Sequence, residues 1–228
     1  MNILSAGAAK GLLQTVAATE GISLAGEFGA VGAIRERLKA GAPCDVIVLT
    51  AAMIADLVTS VEVDAASVIT LGRVNTGVAL LNEAPPVSVD DVESLKRLLS
   101  HATKMYFPDP SLATAGIHFM KVLTALGLAE SHRERFATYA NGATAMRAMA
   151  DAGDVGAVGI TQCSEILYTG GVRYAGGLPS PYQLATIYSA AITRRADNID
   201  EARRLLKAAS SATNELVRIS AGFEPPDL

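Results

Sequence analysis

NILSAGAAKGLLQ, Asn2–Gln14, begins as a short apolar run, breaks at Ser5-Ala6-Gly7-Ala8, and resumes with helical spacing. Four small residues at the break let a ligand approach the backbone closely where a strand turns into a helix. The first turn of that helix leaves N–H groups without intrahelical partners and carries partial positive charge, which suits an anion. One such turn is equally a plain strand–helix connection, so its recurrence decides the reading. Ser23–Glu27, then Phe28–Gly32, then Ala33–Lys39 repeat the order of strand, small-residue turn and helix. The continuous apolar run Val46–Thr50 is of the kind doubly covered parallel strands show, and Ala52–Thr59 follows it as a helix. Strands alternating with helices through short loops predict a parallel α/β sheet.

From Ser67 the rhythm changes. Val68–Leu71 and Val74–Leu81 are β-rich runs broken only at Gly72-Arg73, a long passage suited to cross between two α/β lobes. Pro85 and Pro86 end it, and Ser88 or Asp90 is expected to cap a helix to about Leu99. The scheme then restarts with a strand at Lys104–Phe107, a loop through Gly116 and a helix over Ile117–Leu126. Asn141-Gly142-Ala143-Thr144 opens a helix to about Ala152, Val155–Thr161 reads as a strand, and Cys163–Leu167 as a short helix. Small-residue turns therefore precede helices near Gly7, Gly29–Gly32, Ala113–Gly116 and Gly142–Thr144, two in each half. A strand at Val172–Ala175 lies between glycine pairs, Thr186–Thr193 is suited to return the chain to the first lobe, and one final helix is expected from Ile199 to about Ile219. The expected division is residues 1–74 with 186–228 as lobe I and 75–185 as lobe II.

Half of the 228 residues are hydrophobic, enough for a substantial core. With 19 Lys plus Arg against 23 Asp plus Glu and no basic cluster, the chain has no electrostatic footprint for nucleic acid, and no DNA-binding segment is seen. No apolar stretch is long enough to span a bilayer. With no basic segment and apolar run ahead of the first strand, the chain as written is expected in the cytoplasm, and in the periplasm if a leader has been removed. Cys44 and Cys163 are expected to be buried thiols rather than a disulfide framework. No histidine pair falls at metal spacing, no nucleophile elbow and no phosphate loop with its Lys-Ser or Lys-Thr occurs, and neither metal nor cofactor is expected.

AGAPCD at Ala40–Asp45, DPSLATAGIHFMKVL at Asp109–Leu123, GAVGITQCSEIL at Gly156–Leu167, GGLP at Gly176–Pro179 and GFEP at Gly222–Pro225 follow the first turn in order. Together they resemble the molybdate-binding members of the periplasmic solute-binding protein family, type II, over essentially the whole chain. The resemblance implies two α/β lobes joined by two crossover strands, with an anion held in a central cleft by neutral donors as the lobes close by hinge motion. It also implies a membrane component of an ABC transporter as partner.

The resemblance maps the site loops to Ser5–Ala9, Gly29–Gly32, Ala115, and Ala143 or Thr144; backbone donors are expected at Ala8, Ala9, Gly32, Ala115 and Thr144, with Ser5, Thr114 and Gln162 as orienting side chains. Ala8 stands where the family's ligand serine is usual, Gly29–Gly32 offers no hydroxyl, and Gln162 stands where a ligand tyrosine is expected. Each missing hydrogen bond to a charged oxyanion forfeits roughly 1.5–3 kcal/mol, which favours a carboxylate with an apolar part over molybdate or tungstate. The alternative is an enzyme on the same scaffold, moving a proton on a small carboxylated substrate by isomerase-type chemistry. His118, in the first turn of its helix, Glu165 and Cys163 are its candidate acid–base groups. Each also has a plain reading: His118 as packing, Glu165 as a cap, Cys163 as a buried thiol. A cytoplasmic location favours the enzyme; the lack of a paired acid–base constellation favours the binding protein, which is the reading adopted.

Overall fold

A computed structural model describes residues 1–226; Asp227 and Leu228, the end of the expected lobe I, lie outside the described residues. The chain separates into two compact units, Met1–Val74 with Thr186–Leu228, and Asn75–Ala185.

In unit 1, β1 (Asn2–Ala6), β2 (Ala25–Gly29) and β3 (Val46–Thr50) are parallel, with Ser5 opposite Phe28 and Val48. β9 (Ala185–Ile192) joins β3 antiparallel, giving the order β2-β1-β3-β9. The apolar run of β3 is fully buried from Val46 to Leu49, as its continuous hydrophobicity predicts. After each parallel strand a helix starts: α1 (Lys10–Thr19), preceded by a 3-10 turn at Gly7–Ala9, α2 (Val31–Lys39) and α3 (Ala51–Thr59). β2 lies two residues later than Ser23–Glu27, because Ala25 N bonds Met1 O and sets the register.

In unit 2, β5 (Met105–Pro108) runs parallel to β6 (Phe136–Tyr139) and β7 (Val158–Gln162). Both β7 and β8 (Val172–Gly177) pair antiparallel with the end of β4 (Ile69–Leu81), giving β8-β4-β7-β5-β6. The helices are α4 (Val92–His101), α5 (Thr114–Ala125), α6 (Gly142–Ala152) and α7 (Cys163–Tyr168). Phe107 packs edge-on against Phe119 and Phe136, at 5.1 and 5.5 Å between ring centres, and fixes α5 over the β5–β6 pair.

β7 begins at Val158 rather than Val155, and four further expectations change. α5 starts at Thr114, three residues before Ile117. Gly116 is the reason: a Cβ there would come within 2.2 Å of Pro108 O, so the glycine belongs inside a helix pressed onto the end of β5. α4 is capped by Asp91, whose carboxylate accepts from Ser94 N at 2.7 Å in a capping box, rather than by Ser88 or Asp90. β4 runs unbroken through Gly72-Arg73, where Arg73 exchanges backbone hydrogen bonds with Glu224 and the absent Cβ of Gly72 leaves room for Glu224 O. The final helix divides into α8 (Ile199–Ser210) and α9 (Glu215–Ser220), because Ser211 is extended and Arg218 Nη1 donates to Ala209 O and Ser211 O.

Candidate functional site

Parallel strands bring the helix N-termini of each unit to one edge of its sheet. In unit 1 that edge carries Ser5, Ala8, Ala9 and Gly32. Ser5 is fully buried and its hydroxyl donates to Ala6 O at 3.0 Å. Ala8 and Ala9 are buried in the Gly7–Ala9 turn, and neither that turn nor α1 carries a side-chain cap. α2, with Gly32 in its first turn, follows Ala30 and is likewise uncapped by a side chain. α3 differs, since Thr50 Oγ1 accepts from Met53 N. At the same edge the Lys10 ammonium lies 5.9 Å from the centre of the Phe28 ring. Neither Lys10 nor Phe28 is among the residues expected from sequence; the signal for the pair is that each directly flanks a small-residue turn.

In unit 2 the corresponding edge carries Thr114, Ala115, Thr144, Gln162 and Cys163. α5 opens at Ala113 without a side-chain cap, with Thr114 half-buried and Ala115 buried in its first turn. α6 is closed from within. Asn141 Oδ1 accepts from Thr144 N and Thr144 Oγ1, both at 2.9 Å, and the Glu165 carboxylate accepts from Ala143 N at 3.3 Å. The other Glu165 oxygen accepts from Thr161 Oγ1 at 2.5 Å. Gly142 makes this possible: a Cβ would stand 1.9 Å from Thr161 Oγ1 and 2.0 Å from Glu165 Oε2. The sequence offers a signal for Thr161, which stands four residues before Glu165 across the strand-to-helix junction.

Glu165 is buried, and burial pushes its carboxyl above the ordinary range, against the pull of Thr161 and the N–H groups of Ala143, Gly142 and Gln162. His118 Nε2 lies 2.7 Å from Tyr182 O. A carbonyl only accepts, so Nε2 carries the proton, and His118 ties α5 to the segment before β9. A backbone partner leaves no trace in sequence, so Tyr182 was not foreseeable. Gln162 ends β7 opposite Thr76 of β4, and both are buried. Cys44 and Cys163 are free and buried; burial raises the Cys44 thiol to about 12. Among the described residues no three His, Cys, Asp or Glu side chains are placed to hold a metal, and no helix is long and apolar enough to cross a membrane.

Unit 1 thus brings together Ser5, Ala8, Ala9 and Gly32, and unit 2 brings together Thr114, Ala115, Thr144, Gln162, Cys163 and Glu165, with His118 one turn into α5. The chain is similar in fold to the periplasmic molybdate-binding protein of Azotobacter vinelandii, at 18% identity and a TM-score of 0.78 over 100% of both chains. It is also similar to the sulfate-binding protein of Mycobacterium tuberculosis, at 16% identity and a TM-score of 0.70, covering 100% of this chain and 87% of that one. In sequence it is 25% identical over 202 residues to an aconitate isomerase of Pseudomonas sp, covering 85% of this chain and 72% of that protein. The sequence model of the bacterial extracellular solute-binding proteins matches residues 2–224, and the chain belongs to that family.

Proposed function

We propose that this solute-binding protein takes a small organic carboxylate and closes on it, using the uncapped first turns of the Gly7–Ala9 segment, α2 and α5 as its anion donors. The observation that carries the reading is the division between capped and uncapped turns. Helices α3, α4 and α6 have their first N–H groups satisfied by Thr50, Asp91 and Asn141, whereas the Gly7–Ala9 turn, α2 and α5, like α1, α7, α8 and α9, have no side-chain cap. An N-terminal turn left without a cap is one that a carboxylate oxygen can complete. Two of the three candidate site hydroxyls a tetrahedral oxyanion would use are committed elsewhere, Ser5 to Ala6 O and Thr144 to Asn141. Alanines 8, 9 and 115 and Val31 instead suit a ligand with an apolar part. A membrane component of an ABC transporter is the expected partner of a receptor of this kind.

Thermal unfolding with molybdate, sulfate, trans-aconitate, citrate and pyruvate tests this. A carboxylate at a hundred times its Kd adds about 2.7 kcal/mol, a rise of roughly 5–10 °C for a chain of this size. A response to molybdate or sulfate alone overturns the preference for carboxylates, and no response to any of them removes the anion reading.

A second reading, isomerisation of a small unsaturated carboxylate by proton transfer, is favoured by the similarity to an aconitate isomerase together with Glu165. An acid whose carboxyl is shifted upward holds its proton further toward neutral pH, and can deliver it to carbon and take one back with no net change in composition. Incubation with cis- or trans-aconitate under proton NMR separates the two readings. A receptor leaves the spectrum unchanged; an isomerase converts it, and Glu165→Gln then lowers the rate by 100-fold or more, the usual scale of an acid–base contribution.

A further inference from the structure

The opposite edge of unit 2 holds a groove of about 600 Å3, bounded by the end of β4, the segment before α4, one face of α4 and the residues leading into β7. That volume lies within the usual range for small-molecule sites. Its wall is apolar: Leu80 at the base, Leu98 on α4, and Val87 and Val155 at the rim, the last 55% exposed. Two cationic or proton-accepting side chains face it from successive turns of α4, Arg97 and His101. Arg97 makes no ion pair among the described residues; its charge reaches Asp91 at the start of the helix without contact. His101 Nδ1 donates to Arg97 O at 2.8 Å, so Nε2 can donate to a carboxylate only when the ring is the imidazolium. The groove's serines are already used, Ser88 by Asp90 and Ser94 by Asp91. Among the described residues no carboxylate lines it. At the same end of α4, Arg135 Nη1 donates to Ser100 O and Ala102 O, adding a further positive charge.

We infer that this groove is a binding site for a small amphipathic carboxylate, whose apolar body lies on Leu80, Leu98 and Val155 and whose carboxylate meets Arg97 and His101. The charge pattern selects the occupant. An apolar wall alone would accept any hydrophobic surface, but two polar groups one turn apart, with Asp90 and Asp91 outside the lining, specify one anionic head on an apolar body. The site is independent of the anion reading above, because it uses none of the helix N-termini and stands at the edge where β7 begins.

The test is a titration of the full chain, labelled with nitrogen-15, with 4-phenylbutyrate, followed by amide NMR. Saturating shifts are expected at Ala84, Ala102, Val155 and Ala157, with Ala8 and Ala115 unmoved. The uncharged analogue 4-phenylbutan-1-ol should bind about tenfold more weakly, the factor that corresponds to loss of one charge-assisted contact. Arg97→Ala, at an exposed position, should weaken 4-phenylbutyrate by a similar factor, and Val155→Asp should abolish binding without loss of fold. Non-saturating shifts, shifts confined to the other edge of the sheet, or equal affinity for acid and alcohol overturn the proposal.

Discussion

Asp45 in unit 1 and Glu165 in unit 2 are buried to nearly the same depth, 2% and 6% exposed, yet their acidities move in opposite directions. Burial pushes both upward. At Asp45 it is outweighed by hydrogen bonds from Asn198 N and Nδ2, Asn2 N and Asp197 N, at 2.6–3.0 Å, and the carboxyl is held below its ordinary range. At Glu165 burial stays dominant over an equal number of hydrogen bonds, from Thr161 Oγ1 and the N–H groups of Ala143, Gly142 and Gln162. Low exposure alone therefore does not set the acidity of a buried acid in this chain; the balance between desolvation and the hydrogen bonds received does. Unit 1 uses its acid for structure, joining β1 to the start of α8, while unit 2 keeps an acid shifted upward beside a helix N-terminus.

The comparison breaks most forcefully at Asp45. Asp45→Ala leaves three backbone N–H groups and one amide without their acceptor, and the expected loss is about 3–5 kcal/mol in urea unfolding. A loss below about 1 kcal/mol would mean that water replaces the carboxylate without penalty. Gly142→Ala tests the other side. Its methyl must displace Glu165 or Thr161, an overpacking cost of about 1–3 kcal/mol. Glu165→Gln in the same background should relieve none of this cost if Thr161 is the immovable partner. The smallest and most diagnostic effect is in pH. A raised folded-state carboxyl binds more protons than the unfolded chain, so its contribution is complete below the ordinary glutamate value and fades as pH rises toward the folded value. The wild-type chain should lose up to about 1.4 kcal/mol per pH unit in that window relative to Glu165→Gln. Asp45 runs the other way: its contribution is present above the ordinary aspartate value and is lost as pH falls through the lowered one, so Asp45→Asn should flatten the acid side of the profile. Parallel profiles for the two variants would erase the distinction between the units.

Much of this was legible in residue order. The alternation of apolar runs with small-residue turns identified the α/β class, and the run at Val46–Thr50 matches β3 residue for residue. β6 was not found, because Phe136–Tyr139 is four residues long and only partly buried, too short to show a period. α5 was begun too late because a glycine inside a helix reads as a loop unless the strand end pressed against it is known. At the candidate site, the turns themselves could be located from Gly, Ala and Ser, since small residues mark close backbone approach. Whether a turn is open or already filled could not, because that depends on Glu165 reaching Ala143 from 22 residues away and on Asn141 choosing its own helix. Local spacing reports where donors lie; only the fold reports which donors are taken.

Unit 1 is built from two pieces of chain, with the whole of unit 2 between them. Three of the four donors that hold Asp45 come from Asp197 and Asn198, and β3 finds its antiparallel neighbour only in β9. As the ribosome makes the protein, β1, β2 and β3 therefore emerge long before the strand and turn that complete them. Unit 2 is a single uninterrupted segment and can finish first, although domains generally mature from the N-terminus onward. In this topology the half that starts last can close first, while the first half keeps an open edge until β9 and the turn at Asp197 and Asn198 arrive.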